Sequence, residues 1–209
     1  MTAGGLDPAI ARDIAMLAPP GLLIGHRLIS PGDEHALLDE EAASIASPVT
    51  EVRRASGAAR IVARQLLAQL GYARPRVPKA ASGAPVWPSG IVGSLAHDGR
   101  IAVAAVARKS DVGAVGIDIE PAEVLPADML DLIATPQERR DAATDPLRGR
   151  LLFAVKEAVY KAAFPLDGVF LEFRDISVDL PRRRAATRSG HAMDLRFCIS
   201  THIVALALK

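Results

Sequence analysis

The stretch Val115–Pro121, V-G-I-D-I-E-P, decides how the rest of the chain is read. Side chains alternate faces along a strand, so Asp118 and Glu120 share one face while Val115, Ile117 and Ile119 share the other. Two carboxylates about 6.6 Å apart along a strand cannot be buried cheaply as bare charges, because each raises the pKa of the other. A cation between them removes the conflict. Hard oxygen donors with no Cys or His beside them suit Mg²⁺ or Mn²⁺ rather than Zn²⁺. Taken alone, a D-x-E pair at a solvated strand end is the plainer account; a metal site needs further donors from elsewhere in the chain.

C-terminal to this strand, residues 126–133 read as a short helix, and Thr135-Pro136-Gln137-Glu138 is a capping box with proline in the first turn. Asp145-Pro146 repeats the cap-then-proline signal and is expected to open a helix over 147–164, stopped by Pro165. Inside it lies F-A-V-K-E-A-V-Y-K-A, residues 153–162. Leu152, Val155, Val159 and Ala162 form its core face, and Lys156, Glu157, Tyr160 and Lys161 fall on the other side. Glu157 and Lys161, four apart, could be an exposed helix pair worth about 0.2–0.5 kcal/mol. Glu157 could equally complete an oxygen cage with Asp118 and Glu120, with Lys156 and Lys161 suited to a ligand carrying several phosphate charges. Residues 170–173, 176–180 and 195–208 read as strands, with a basic loop at 182–184.

N-terminal to the opening strand, residues 101–107 are an apolar run that reads as a buried strand after the Asp98-Gly99 turn, preceded by I-V-G-S-L-A-H at 91–97. A lone histidine such as His97 is more often a core or cap residue than a site residue. Residues 75–90, which carry Lys79 and G-A-P-V-W-P-S-G, hold too many prolines and glycines for a regular element. A long helix is expected from the Ser47-Pro48 cap to Gly71. On it Arg53, Arg60 and Arg64 stand at i, i+7 and i+11, within roughly 40° of one another, as a positive stripe. Such a stripe is either a solvated face or a phosphate-binding one. Residues 1–45, punctuated by prolines, read as a strand or two and a short acidic helix near 36–43. The turn at 108–111 is the expected boundary between an N-terminal unit, 1–110, and a C-terminal unit, 111–209. A Ser and a His before an apolar strand recur in S-L-A-H-D-G-R-I and I-S-T-H-I-V, a faint sign of a duplicated α/β unit.

Lys plus Arg number 25 and Asp plus Glu 24, so no global field attracts nucleic acid or an anionic membrane. With 209 residues, half of them apolar, the chain can bury a core without staples. Its one cysteine, Cys198, excludes an internal disulfide and a cysteine metal cluster, as expected of a cytoplasmic protein. No membrane span and no secretory signal are read from the sequence.

Four blocks in order, A-R-I-V-A-R-Q-L-L-A-Q-L-G at 59–71, G-A-P-V-W-P-S-G-I-V-G-S-L-A-H at 83–97, V-G-I-D-I-E-P at 115–121 and L-L-F-A-V-K-E-A-V-Y-K-A at 151–162, resemble the 4′-phosphopantetheinyl transferases. The type resembled is the larger, monomeric one of siderophore, polyketide and nonribosomal peptide pathways. The resemblance implies an α+β fold of two similar subdomains related by a pseudo-twofold, each a small sheet packed with helices. It implies transfer of the 4′-phosphopantetheine arm of coenzyme A to a serine of apo acyl, peptidyl or aryl carrier proteins, with Mg²⁺ (or Mn²⁺) as cofactor. By the resemblance Asp118, Glu120 and Glu157 would hold the metal, and Glu157 would deprotonate the serine. Lys156 and Lys161 would hold phosphate oxygens, and Arg53, Arg60, Lys79 and His97 would clamp the coenzyme A 3′-phosphate, with Asp118 also at the coenzyme. Tyr160 and Phe170 are expected to line the pantetheine channel. Ala96 departs from the pattern, standing where relatives place Ser or Thr before the histidine. A metal-dependent phosphohydrolase or nuclease, and a non-catalytic coenzyme A or nucleotide-binding module, are the alternatives.

Overall fold

The two most apolar runs of the chain become the middle strands of two antiparallel sheets, because only a strand covered on both faces can dispense with polar residues. In the computed structural model, which describes residues 5–45 and 47–209, these are β3 (Ile101–Arg108) and β8 (His202–Leu208). β3 lies between β1 (Leu22–Leu28) and β2 (Ile91–His97). β8 lies between β4 (Val115–Pro121) and β7 (Ala192–Ile199), beyond which β6 (Arg184–Thr187) and β5 (Ile176–Asp179) extend the sheet.

Each sheet carries one long helix on its outer face. α3 (Thr50–Gln69) sets Val62, Ala63 and Leu67 on Ala104 and Val106 of β3. α6 (Arg148–Asp167) sets Ala154, Val155 and Ala158 on Ile203, Ala205 and Ala207 of β8. The inner faces meet in the main core, Val103 and Ala105 from one sheet against Ile117, Ile119 and Leu206 from the other. The result is four layers, helix, sheet, sheet, helix. Each fully buried Val, Leu or Ile here contributes about 1.5–3 kcal/mol.

The duplication is visible in the topology. In the first half β1, α3, β2 and β3 follow in sequence and pair as β1-β3-β2; in the second, β4, α6, β7 and β8 pair as β4-β8-β7. The Ser/His echo does not carry it, since His97 ends β2 whereas His202 opens β8.

Glycine at position 116 decides how near α6 comes to β4. A Cβ there would lie 1.8 Å from the carbonyl oxygen of Ala158, so only glycine admits the helix at this depth.

Several local expectations need correcting. α1 (Pro8–Leu17) was not anticipated, although Asp7 caps it by accepting from the amides of Ala9 and Ile10. α3 begins at Thr50 rather than at Ser47-Pro48; Ser47 Oγ instead accepts from Val49 N in a local turn. It does end where Gly71 adopts φ 92°. The acidic segment divides into a 3-10 turn, Asp33–Ala36, and α2 (Asp39–Ser44). α4 (Ala127–Ile133) and α5 (Pro136–Ala142) form as read, with Thr135 and Glu138 closing a reciprocal cap. α6 runs through Pro165 and stops at Gly168, φ 70°. Residues 170–173 form no strand; a 3-10 turn, Phe173–Asp175, stands there. The last residue of the basic loop, Arg184, opens β6, a short hairpin strand. Among the described residues no helix is long and apolar enough to cross a membrane.

Candidate functional site

β4 turns Ile117 and Ile119 into the core, which leaves Asp118 and Glu120 on the face that α6 covers. Asp118 is 5% exposed and pairs with Ala205 of β8. Lys161, from the third turn of α6 beyond Arg150, reaches down to it: Nζ donates to Asp118 Oδ1 at 2.6 Å and to the carbonyl of Ile117 at 3.4 Å. The second carboxylate oxygen, Oδ2, is buried with no hydrogen-bond partner. Burial raises the Asp118 pKa above the ordinary aspartate value, and Lys161 opposes that rise without cancelling it.

Glu157 stands one turn before Lys161, half-buried. Burial raises its pKa, Lys161 lowers it, and the neighbouring Asp118 charge raises it again. Glu120 is raised by burial and by Asp118, and is opposed by Arg150, whose Nη1 donates to Glu120 Oε2 at 2.9 Å. The three carboxylates are thus electrostatic neighbours. They do not form a finished cage, however: among the described residues no three His, Cys, Asp or Glu side chains are positioned to hold a metal ion. Instead Asp118 is paired with Lys161 and Glu120 with Arg150.

The N-terminal half supplies the opposite wall. A cavity of about 470 Å³ between the halves is bounded by Lys79, Trp87 and Ser94 on one side and by Glu157, Tyr160 and Lys161 on the other. Ser94 ties the halves together directly, its Oγ accepting from Ile117 N at 3.0 Å. His97, at the open end of β2, has its pKa lowered by desolvation; Asp98 raises it and Lys161 pushes it down again. Behind it the two hairpin turns meet, with His202 Nε2 2.9 Å from Asp98 Oδ2.

The remaining expected site residues fare differently. Lys156 is fully buried and its ammonium is saturated: Nζ donates to Ile133 O (2.8 Å), Glu138 Oε2 (2.8 Å) and Phe173 O (2.9 Å). It does not reach the cavity, which corrects its assignment to phosphate. The reason is that α6 is packed on two sides, by the sheet and by α4, α5 and the 3-10 turn, so the face away from the sheet is not solvent. Arg60 is likewise buried, with Nε donating to Val77 O at 2.8 Å and Nη1 to Ser56 O at 3.2 Å. Through these two donors it anchors the segment leading to Lys79 against α3. Arg64 is held by Glu41, 0% exposed, and by Ala36 O, while Arg53 is half-buried near the start of α3. The arginine stripe is therefore mostly structural. Ala96 packs in the core between the sheets, where a hydroxyl would have faced apolar side chains. Tyr160 and Phe170 meet edge to face, 5.9 Å between centroids, beside Glu157. Arg150 was overlooked, yet it precedes Glu157 by seven residues and Lys161 by eleven, the same helical spacing that singled out Arg53, Arg60 and Arg64.

The 4′-phosphopantetheinyl transferase N-terminal domain family matches residues 40–107, and the 4′-phosphopantetheinyl transferase superfamily matches residues 114–207. Over 181 residues, 85% of this chain and 81% of the relative, the sequence is 38% identical to the 4′-phosphopantetheinyl transferase Npt of Nocardia iowensis. It is 43% identical over 145 residues to PptT of Mycobacterium tuberculosis, covering 68% of this chain and 64% of that one. It is 38% identical over 176 residues to Svp of Streptomyces mobaraensis, covering 79% and 72%.

Proposed function

The chain belongs to the 4′-phosphopantetheinyl transferase superfamily, transferring phosphopantetheine from coenzyme A to carrier proteins, and from that premise we propose that the transfer takes place where β4 and α6 face the cavity between the halves. The observation that carries this reading is the Asp118 carboxylate, one oxygen on Lys161 and the other buried with no partner. An unpartnered buried acceptor is costly, about 1–3 kcal/mol, and persists where function requires it.

The donor set fits a hard dication. Asp118, Glu120 and Glu157 offer only carboxylate oxygens, and each of the outer two is raised by the Asp118 charge, a repulsion that a divalent ion offsets. These three residues would hold Mg²⁺, or Mn²⁺, which when bound would supply charge neutralisation at the diphosphate of coenzyme A.

The chain's own groups supply the rest. Glu157, beside Asp118, is the base that takes the proton from the attacking carrier serine; its raised pKa makes it a stronger base than an exposed glutamate. Lys161 donates one ammonium proton to Asp118 Oδ1 and a second, at 3.4 Å, to the Ile117 carbonyl, which leaves the third for a phosphate oxygen, stabilising charge on the phosphorus and on the 3′,5′-ADP leaving group. Lys79, which borders the cavity, and His97, electrostatically coupled to Lys161, bind the far phosphate, with Arg53 assigned there by the family resemblance and Arg60 acting through the Val77–Lys79 segment. In this reading residues 1–110 grip the nucleotide end of coenzyme A and residues 111–209 perform the transfer. Tyr160, at the cavity, receives the pantetheine arm, and Phe170, outside the cavity lining, supports its ring edge to face. We expect a cytoplasmic monomer serving siderophore, polyketide or nonribosomal peptide carriers.

The test is direct. Incubated with coenzyme A, Mg²⁺ and a panel of apo carrier proteins, the protein should add one phosphopantetheine arm to a carrier, read as an intact-mass gain. No gain across acyl, peptidyl and aryl carriers would overturn the reading.

A further inference from the structure

Beyond the cavity, Glu157 and Tyr160 border a second opening, a groove of about 540 Å³ on the other side of α6. One wall is α4, with Leu132 65% exposed at the rim; the other is the segment before and through the 3-10 turn, with Phe170 71% exposed. Two large apolar side chains this open, flanking a residue that must meet a protein substrate, mark a surface that a macromolecule covers. A serine delivered from the groove and a coenzyme held in the cavity would meet at Glu157, which borders both.

The two walls belong to different segments and need a common fixture. Lys156, one residue before Glu157, joins them. Its ammonium binds the C-terminal carbonyl of α4 (Ile133), the Phe173 carbonyl opposite, and Glu138 of α5, with three donors meeting three acceptors. Glu138 extends the fixture, since its Oε1 accepts from Val178 N of β5 at 3.2 Å and its Oε2 from Thr135 N at 2.8 Å. A more exposed tie, Arg174 Nη2 to Asp131 O at 2.6 Å, spans the same walls.

We propose that Lys156, with Glu138, is a positioning residue that fixes the walls of the carrier-docking groove beside Glu157 and does not touch coenzyme A. The proposal rests on the transfer reading above. It differs from a phosphate role in what it changes: a clamp governs the carrier, whereas a phosphate ligand governs coenzyme A.

Lys156→Met and Glu138→Gln are compared with the unaltered protein by coenzyme A calorimetry, by carrier kinetics and by amide hydrogen exchange. Both variants should lower kcat/KM for the carrier tenfold or more and leave the coenzyme A Kd within twofold. Exchange should accelerate at residues 131–134 and 173–178. Coenzyme A binding weakened tenfold by Lys156→Met but untouched by Glu138→Gln would overturn the proposal, as would unchanged carrier kinetics in both. Should Lys156→Met fail to fold, Glu138→Gln retains the lysine and decides on the same readouts. If the unaltered protein failed to transfer, the reaction would fall, and coenzyme A binding and exchange would still judge the clamp.

Discussion

α3 and α6 are both twenty residues long, occupy equivalent places in the two halves, and carry charged side chains at i, i+7 and i+11: Arg53, Arg60 and Arg64 on one, Arg150, Glu157 and Lys161 on the other. Their stripes do different work because they meet different neighbours. The α3 stripe runs under the acidic α2 and the 75–79 segment, where Glu41 and backbone carbonyls engage its guanidinium groups. The α6 stripe lies over β4, where Asp118, Glu120 and the stripe's own Glu157 carry one more negative charge than Lys161 and Arg150 neutralise in place. A charge pattern on a helix therefore identifies a polar interface, and only the facing strand tells whether that interface is closed or reactive.

The contrast can be broken most forcefully at Glu157. Glu157→Gln should lower the transfer rate by about 10²- to 10⁴-fold while leaving the melting temperature close to that of the unaltered protein, measured by carrier mass and calorimetry. A rate within threefold would place the base elsewhere. Lys161→Met should cost about 10²- to 10³-fold in kcat with coenzyme A still bound, since its charge acts mainly on the developing phosphate charge.

On α3 the opposite outcome is expected. Arg64→Ala leaves Glu41, 0% exposed, without its guanidinium partner and should lose about 3 kcal/mol of stability by denaturant unfolding, with kcat of the folded protein unchanged. A kcat loss at constant stability would return the arginine stripe to the active site.

The smallest effect concerns pH. Asp118 has its pKa raised in the fold, so the folded protein binds this proton more tightly than the unfolded chain. Its ionisation therefore destabilises the fold as pH rises above the ordinary aspartate value and through the raised one. In chelator, Asp118→Asn should gain melting temperature relative to the unaltered protein as pH rises from acid to neutral, by a few degrees at most, while losing transfer. A difference independent of pH would mean that Asp118 is ionised at no net cost.

Much of this was legible in sequence for definite reasons. β4 and α6 declared themselves through period-two and period-3.6 patterning, and Thr135-Glu138 through a cap that works locally, so these elements needed no tertiary information. Proline-linked caps were less dependable. Asp7-Pro8 opens a helix and Ser47-Pro48 does not, because a cap side chain serves equally well in an isolated turn. Lys156 misled for a deeper reason: spacing on one helix shows which residues share a face but not how many faces are covered, and α6 is covered on two. Arg150 could have been found, since the spacing that exposed Arg53, Arg60 and Arg64 applies to it unchanged. The nearness of Lys79 and His97 to Lys161 depends on how the halves pack and left no local signal.

The central claim is that the reaction occurs over β4 at the α6 stripe. It is tested most directly by the intact mass of an apo carrier protein after incubation with coenzyme A and Mg²⁺, with the unaltered protein, Glu157→Gln and Arg64→Ala compared side by side. The account predicts a full phosphopantetheine gain with the unaltered protein and with folded Arg64→Ala, and none on the same timescale with Glu157→Gln. Equal gain with Glu157→Gln, or loss with folded Arg64→Ala, would contradict it.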